Sequence, residues 1–222
     1  MLYNKRKTYK CNAGYCLNEK GEWLRTVSNK FYKLSYKKIS LNIFKKYPNC
    51  FNISMVLNYI DVPEDMLREY LYENDSIADD IIHHQLISMD MLENEVMPIS
   101  LKKWGAENVF LWISAYQNLD MKFLHTYRNY LDWDTISQYQ IMTEEFMDAH
   151  EKYIKWKKIS NIPNLSMEFI DKHADQVNWD HISLYQKLSK EFIYNHAYQL
   201  NSTYLYKNKK LDEEAKHIVA ST

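Results

Sequence analysis

The sequence predicts a mostly all-α fold: an α-solenoid of short two-helix repeats with a small N-terminal cap that contains a β-hairpin. Three observations predict it. A pattern of 23 residues recurs along the chain, helix-capping residues occupy fixed places in each repeat, and 222 residues include only 3 Gly and 4 Pro. Helices of two to three turns are not stable alone in water, so successive helix pairs are expected to stack on one another.

The repeat is clearest between residues 110 and 201. A bulky aromatic residue opens each of four consecutive units at a spacing of 23, namely Phe110, Trp133, Trp156 and Trp179. The unit reads W-x-x-I-S-x-Y-Q-x-L-S-x-E-F-[IM]-x-x-H, and seven of its columns stay in register through the four units. This regularity predicts four equivalent helix pairs.

The second helix of each unit is predicted from its capping residue. A hydroxyl or carboxylate side chain precedes each second helix, where it can accept a backbone N–H of the first turn: Asp120, Thr143, Ser166 and Ser189. Three units carry a glutamate inside that first turn, where the helix dipole favours an anion: Glu145, Glu168 and Glu191. The phenylalanine and the histidine or tyrosine that follow, four residues apart, are expected on one helix face.

The first helix of each unit is the W-x-x-I-S-x-Y-Q segment, whose Trp and Ile are expected on its buried face. Asp134 and Asp180 can cap or charge the start of this helix. The third unit departs from the pattern, since Ile162-Pro163 replaces Tyr-Gln. Proline lacks an N–H group, so this change predicts an early end for that first helix.

Fainter copies of the unit are expected upstream. One runs over residues 31–47, and a second begins at Ile53-Ser54, with Pro63 at a position that opens a helix. Residues 75–109 look irregular, and two helical segments are expected there, over residues 81–91 and 101–109, with Pro98 breaking the chain between them.

The predicted organisation therefore has four parts. Residues 1–30 form the cap, in which residues 18–21 make a Gly-containing hairpin turn. Residues 31–109 form degenerate helical repeats, residues 110–201 form the four regular repeats, and residues 202–222 form a C-terminal cap.

The charge is unevenly spread. Residues 1–50 hold 12 Lys or Arg and 2 acidic residues, whereas residues 51–222 hold 16 and 27. Such a split predicts a charged face that meets a partner of opposite sign. The candidate basic docking residues are Lys37, Lys38, Lys45 and Lys46, and the candidate acidic docking residues are Asp148, Glu151, Asp171 and Asp175. The alternative is that the two ends of the chain attract each other, or pack against each other between subunits.

Two side-chain columns of the repeat have both a functional and a structural interpretation. His150, His173 and His196 stand in register and could bind metal or sense pH. Stacked repeats lie about 10 Å apart, too far for two histidines to share one ion, so a structural role is favoured. The Tyr-Gln pairs of the repeat could form a recognition surface, but we favour glutamines that bond the backbone of the adjacent repeat.

Other chemistry-bearing groups are sparse. Cys11 and Cys16 could be half of a zinc site, for which Cys50 and His83-His84 are the other candidate ligands. His83-His84 also lies near Asp79-Asp80, but four residues in one helical turn point in different directions. The sequence predicts no catalytic residue, no metal and no cofactor. No apolar run approaches the roughly 18 residues of a membrane span, and the odd number of cysteines predicts a reducing, cytoplasmic location.

The repeat resembles short helical repeats of bacteriophages and large DNA viruses, some of which are labelled late-promoter-activating proteins. The resemblance covers residues 110–201 and implies a helical scaffold with an accessory role in infection. On this basis the expected function is non-enzymatic: binding a host or viral protein, and inhibiting or redirecting a host complex such as a defence nuclease. The alternative is a transcription or nucleic-acid-associated factor that uses the basic N-terminal segment.

Overall fold

The computed structural model describes residues 11–12, 15–17, 23–25, 40–46, 52–211 and 215. These residues are mostly helical, which confirms the all-α prediction. The chain divides into two compact units, Met1–Asn118 and Leu119–Thr222. The four-part organisation predicted from the sequence stays a prediction.

The first unit begins with three short antiparallel strands: β1 (Cys11–Asn12), β2 (Tyr15–Leu17) and β3 (Trp23–Arg25). Cys11 is opposite Cys16, and Leu17 is opposite Trp23. Most of the predicted cap and of the copy over residues 31–47 lies outside the described residues.

The helices of the first unit are short, apart from the last. They are α1 (Leu41–Lys46), α2 (Ile53–Leu57), α3 (Glu64–Glu73), a 3₁₀ turn (Asp75–Ile77), α4 (Ala78–His84), α5 (Met89–Met91), a π-helical turn (Leu92–Val96) and α6 (Met97–Tyr116). Asn52 and Ser88 cap α2 and α5 with their side chains, and Pro63 immediately precedes α3 as predicted.

Two expectations for residues 75–109 are wrong. The segment expected over residues 81–91 is interrupted, because α4 ends at His84 and α5 begins only at Met89. Pro98 does not break the chain, since it lies in the first turn of α6, where a missing N–H group costs no hydrogen bond. The helix departs from helical geometry at Gly105 instead, with φ 78° and ψ 163°, a conformation that favours glycine.

The second unit alternates the first and second helices of the repeat. Its helices are α7 (Met121–Thr126), α8 (Trp133–Tyr139), α9 (Glu144–Ala149), α10 (Trp156–Ile159), α11 (Met167–Lys172), α12 (Trp179–Tyr185), α13 (Lys190–Asn195) and α14 (Ser202–Lys207). Helix α10 has four residues where α8 and α12 have seven, which confirms the early end predicted from Ile162-Pro163.

The predicted caps of the second helices are confirmed. Asp120, Thr143, Ser166 and Ser189 each accept the backbone N–H of the phenylalanine three residues later. Asp134 and Asp180 charge the first turns of α8 and α12 without capping them. The caps of those two helices are Asp132 and Asn178.

Aromatic rings and isoleucines fill the interior of the repeats. Trp133 and Trp156 are buried, and Ile136, Ile159 and Ile182 are fully enclosed. The phenylalanine and histidine of each second helix share a face as predicted, with ring centroids 4.0 Å apart for Phe146 and His150. Trp156 stacks on His173 at 3.9 Å, which joins the first helix of that repeat to its second.

Candidate functional site

The glutamine column joins successive repeats within each unit. Gln117 Nε2 donates to the carbonyl oxygens of Ile82 and Gln85, at 2.7 and 2.8 Å. Its Oε1 accepts the N–H of Ile87. Gln186 does the same in the second unit, where it donates to Ser160 and Ile162 and accepts the N–H of Leu165. The favoured interpretation of this column, bonding to the adjacent backbone, is confirmed.

These bonds reveal a repeat that the sequence analysis missed. Gln85 donates to the carbonyl oxygens of Leu57 and Ile60 and accepts the N–H of Val62, as Gln117 does one repeat later. Ser88 follows three residues after Gln85 and caps the next helix, as the repeat requires. Residues 75–109 therefore begin with a genuine repeat unit. The same bonds assign Val56-Leu57, not Ile53-Ser54, to the Ile-Ser columns of the preceding repeat.

A buried serine column supplements the glutamines. Ser160 Oγ donates to the carbonyl of Trp156 and accepts the N–H of Asn178, at 2.8 Å in each case. Ser183 accepts the N–H of Asn201 in the same way. The Ile-Ser step of the motif is thus explained by backbone bonding between repeats.

The histidine column is also structural. His150 and His173 are buried, and each packs on the phenylalanine of its own helix. His173 Nε2 lies 2.7 Å from Asp148 Oδ1, and His196 Nε2 lies 2.5 Å from Asp171 Oδ1. His150 Nε2 lies 2.9 Å from His125 Nδ1. His125 occupies the column in which the next two repeats have Asp148 and Asp171. Among the residues that the structure describes, no group of three or more potential ligands is arranged to hold a metal ion.

The four predicted acidic docking residues have different surroundings. Asp148 binds His173 and Lys172, and Asp171 binds His196, so both contribute to the contact between repeats. Glu151 accepts a hydrogen bond from Gln176, and Asp175 is exposed. Residues 119–211 hold 12 acidic and 12 basic side chains, so this part of the second unit is neutral overall.

Of the predicted basic docking residues, Lys45 is exposed on α1. Lys37, Lys38 and the side chain of Lys46 lie outside the described residues, as do Cys50 and the side chains of Cys11 and Cys16.

The negative charge of the chain is concentrated in the acidic segment, defined here as residues 52–101. It holds eleven acidic residues and one arginine, a net charge of −10. The exposed acidic residues are Asp61, Asp65, Glu69, Glu73, Asp75 and Asp90. The lone Arg68 contacts Glu64, Asp90 and Glu95, and its hydrogen bond with Glu95 raises its pKa above the ordinary value. A charge count over a shorter window would have located this segment from the sequence.

Asp79, at the start of α4, receives bonds from three side chains of α6. Its carboxylate accepts from Ser100 Oγ at 3.2 Å, from Lys103 Nζ at 2.7 Å and from Trp104 Nε1 at 2.5 Å. Asp79 therefore orients the first half of α6, and it does not form an acid–base pair with the neighbouring histidines.

His83 belongs to an aromatic patch that we define as His83, Trp104, Trp112 and Tyr116. The ring of His83 lies 4.8 Å from that of Trp112 and 5.0 Å from that of Tyr116, and Trp104 meets Trp112 edge to face at 5.9 Å. Trp104 and Tyr116 are 45% and 49% exposed, so the patch reaches the surface. Burial, followed by the neighbouring His83, lowers the pKa of His84. No local sequence pattern predicts this patch, because His83 comes from α4 and the other rings come from α6.

Comparisons with family models, curated proteins and solved structures give no match to this chain. In the described parts of the chain, no helix combines the length and the apolarity needed to cross a bilayer.

Proposed function

We propose that this protein is a non-enzymatic binding protein of phage or viral type that holds a basic surface of a host protein complex in the host cytoplasm. The supporting observation is the acidic segment, with eleven acidic residues against one arginine. The nucleic-acid-binding groove of a defence nuclease is an example of such a basic surface, and a protein that occupies the groove acts as an inhibitor.

The segment has the electrostatics of a docking surface. Arg68 pairs with Glu64, Asp90 and Glu95, and five other acidic side chains are exposed along α3 and its neighbours. A field of one sign raises the rate at which an oppositely charged partner arrives and opposes partners of like charge. By contrast, the residues that recur in the repeat are occupied in contacts between repeats, as Gln186 and His173 illustrate.

The architecture proposed for this role is an α-solenoid with a β-hairpin-containing cap over residues 1–30. The glutamine bonds from a repeat to the backbone of the preceding repeat, found within both units, and the serine bonds to the backbone that leads into the next repeat, found within the second unit, support the solenoid. A solenoid suits the function because its surface is extended and rigid, and because surface residues can change without altering the contacts that hold the stack.

The test compares two variants that neutralise equal numbers of exposed acidic residues. In the first, Asp61→Asn, Asp65→Asn, Glu69→Gln and Glu73→Gln are combined. In the matched control, the combined changes are Glu145→Gln, Glu151→Gln, Glu168→Gln and Asp175→Asn, all within residues 119–211, which are neutral overall. Host proteins retained on the wild-type chain are identified by mass spectrometry. The association rate and the affinity of the purified partner are then measured with each variant.

We expect the first variant to slow association and to weaken binding by about tenfold or more at low salt, and the control to bind nearly as the wild type does. Loss of binding in the control alone would place the docking surface on the regular repeats. Tight, salt-dependent binding of the wild type to DNA or RNA, lost when Lys37, Lys38, Lys45 and Lys46 are changed to Glu, would favour the nucleic-acid-associated alternative.

A further inference from the structure

The repeat that begins at α4 is longer than the others. Gln85 and Gln117 are 32 residues apart, whereas Gln117 and Gln140 are 23 apart. The additional nine residues fall in the second helix of that repeat, and residues 102–108 are all exposed. The regular repeats stack through the glutamine, the cap and the buried columns without such an insertion, so the stack does not require it.

The insertion builds one rigid, exposed feature. Gly105, at φ 78°, ends the helical run after Trp104, and α6 resumes to carry Trp112 and Tyr116. Trp104 is held from both sides, because its Nε1 donates to Asp79 and its ring meets Trp112 edge to face. An aromatic side chain fixed in this way loses little conformational freedom when a partner binds, and anchors of protein interfaces are rich in such residues.

The chemistry of the patch selects a cation. Tryptophan rings attract a positive charge through their faces. The Trp104 ring already holds one cation of the chain itself, since Lys103 Nζ lies 5.0 Å from the centre of that ring and 2.7 Å from Asp79, and a cation of the partner would replace Lys103 there.

We infer that the aromatic patch binds an arginine- or lysine-containing segment of the partner protein, with Trp104 as its anchor. The inference rests on the proposed function, because the net charge of −10 on the acidic segment, to which α4 belongs, determines the sign of the partner. The acidic side chains of this protein attract the basic segment of the partner, and the aromatic patch holds one cationic side chain of that segment.

The test uses a fluorescent octa-arginine peptide and, as an uncharged probe, an octa-glutamine peptide. Trp104→Ala removes the anchor, whereas Trp104→Phe keeps a ring but loses the bond to Asp79. Tyr139→Ala is the matched control, because Tyr139 is 68% exposed and occupies the column of Tyr116 in a regular repeat. Circular dichroism and the thermal midpoint establish that each variant is folded, and peptide binding is measured by anisotropy at fixed salt.

We expect Trp104→Ala to weaken octa-arginine binding by about fivefold or more, Trp104→Phe to weaken it less, and Tyr139→Ala to leave it unchanged. If octa-arginine binding is lost in the variant with Asp61, Asp65, Glu69 and Glu73 neutralised but is unchanged in Trp104→Ala, the proposed function stands and this inference fails. If the wild type does not bind octa-arginine, the basic partner itself is excluded.

Two further outcomes would overturn the inference. Equal weakening of octa-glutamine binding by Trp104→Ala would show a general apolar surface without preference for a cation. Binding of single-stranded oligo-dT that is lost in Trp104→Ala would show that the patch stacks nucleobases.

Discussion

His173 Nε2 lies 2.7 Å from Oδ1 of Asp148, and this bond joins the histidine of one repeat to the aspartate of the repeat before it. Lys172 binds the other oxygen of the same carboxylate, also at 2.7 Å. The hydrogen bond from Lys172, together with that from His173, lowers the pKa of Asp148 below its ordinary value of 3.8. The bonds from Lys172 and His173 therefore favour the ionised form of this carboxylate.

The first prediction is a pH-dependent contribution of Asp148 to stability. Because its pKa is lower in the folded chain than in the unfolded chain, the stabilisation is present above the ordinary value of 3.8 and is lost as the pH falls through the folded-state pKa. Asp148→Asn should be less stable than the wild type at about pH 6, and the difference should shrink below about pH 4. Urea unfolding at several pH values measures it.

Asp175→Asn is the control for this prediction, since Asp175 is exposed in the same unit. Its unfolding midpoint should follow that of the wild type at every pH. A constant difference between wild type and Asp148→Asn down to the lowest pH would show that the charge of Asp148 is not what stabilises the contact.

The second prediction concerns the aromatic column. Trp156 is buried and stacks on His173, so Trp156→Ala removes a large ring from the interior. We expect it to lower the free energy of unfolding by roughly 3–5 kcal/mol, as truncation of large core aromatics does. Tyr198→Ala, at a fully exposed position, should change it by less than about 0.5 kcal/mol. Equal denaturation midpoints for Trp156→Ala and the wild type would contradict the prediction.

The third prediction concerns the glutamine column. Gln186→Ala leaves the buried carbonyl of Ser160, the part-buried carbonyl of Ile162 and the buried N–H of Leu165 without that partner. Leaving buried polar groups unsatisfied should lower the free energy of unfolding by at least about 2 kcal/mol. Gln199→Ala, at an exposed position of the same unit, is the control and should have little effect in the same denaturant titration.

The fourth prediction concerns the interruption of α6. A Cβ atom added at Gly105 would meet no atom within 4 Å, so Gly105→Ala introduces backbone strain without a steric clash. At φ 78° this strain should cost about 1–3 kcal/mol, measured as a lower thermal midpoint. The neighbouring exposed substitution Ala106→Ser should be nearly neutral, and an unchanged midpoint for Gly105→Ala would argue against the interruption.

The second helices could be predicted because their signals are local. Asp120 and Ser166 cap helices whose first turn lies within three residues of them, and Pro163 shortens α10 through its own missing N–H group. The caps of the first helices were harder to assign. Asp132 lies two residues before Asp134, and either carboxylate suits a helix start.

The repeat at α4 could not be recognised because its most distinctive columns have changed. Ala78 stands in the tryptophan column and Ile82 in the serine column, so only Gln85 and Ser88 keep the polar pattern. The aromatic patch could not be predicted from the sequence for another reason. The contact between His83 and Trp112 depends on how α4 packs on α6, and no spacing rule within one segment encodes it.

The glutamine bonds between repeats have a consequence for how such a chain evolves. Gln117 and Gln186 recognise only main-chain groups of the preceding repeat, which every residue type presents. Gln186 donates a hydrogen bond to the carbonyl of Ile162 even though Pro163 replaces the regular residue next to it. A gene for this protein can therefore gain or lose whole modules by in-frame duplication or deletion, because the glutamine bonds need no matching side chain in a new neighbour. The number of repeats and their surface residues can then diverge quickly, while the hydrogen bonds between repeats stay the same.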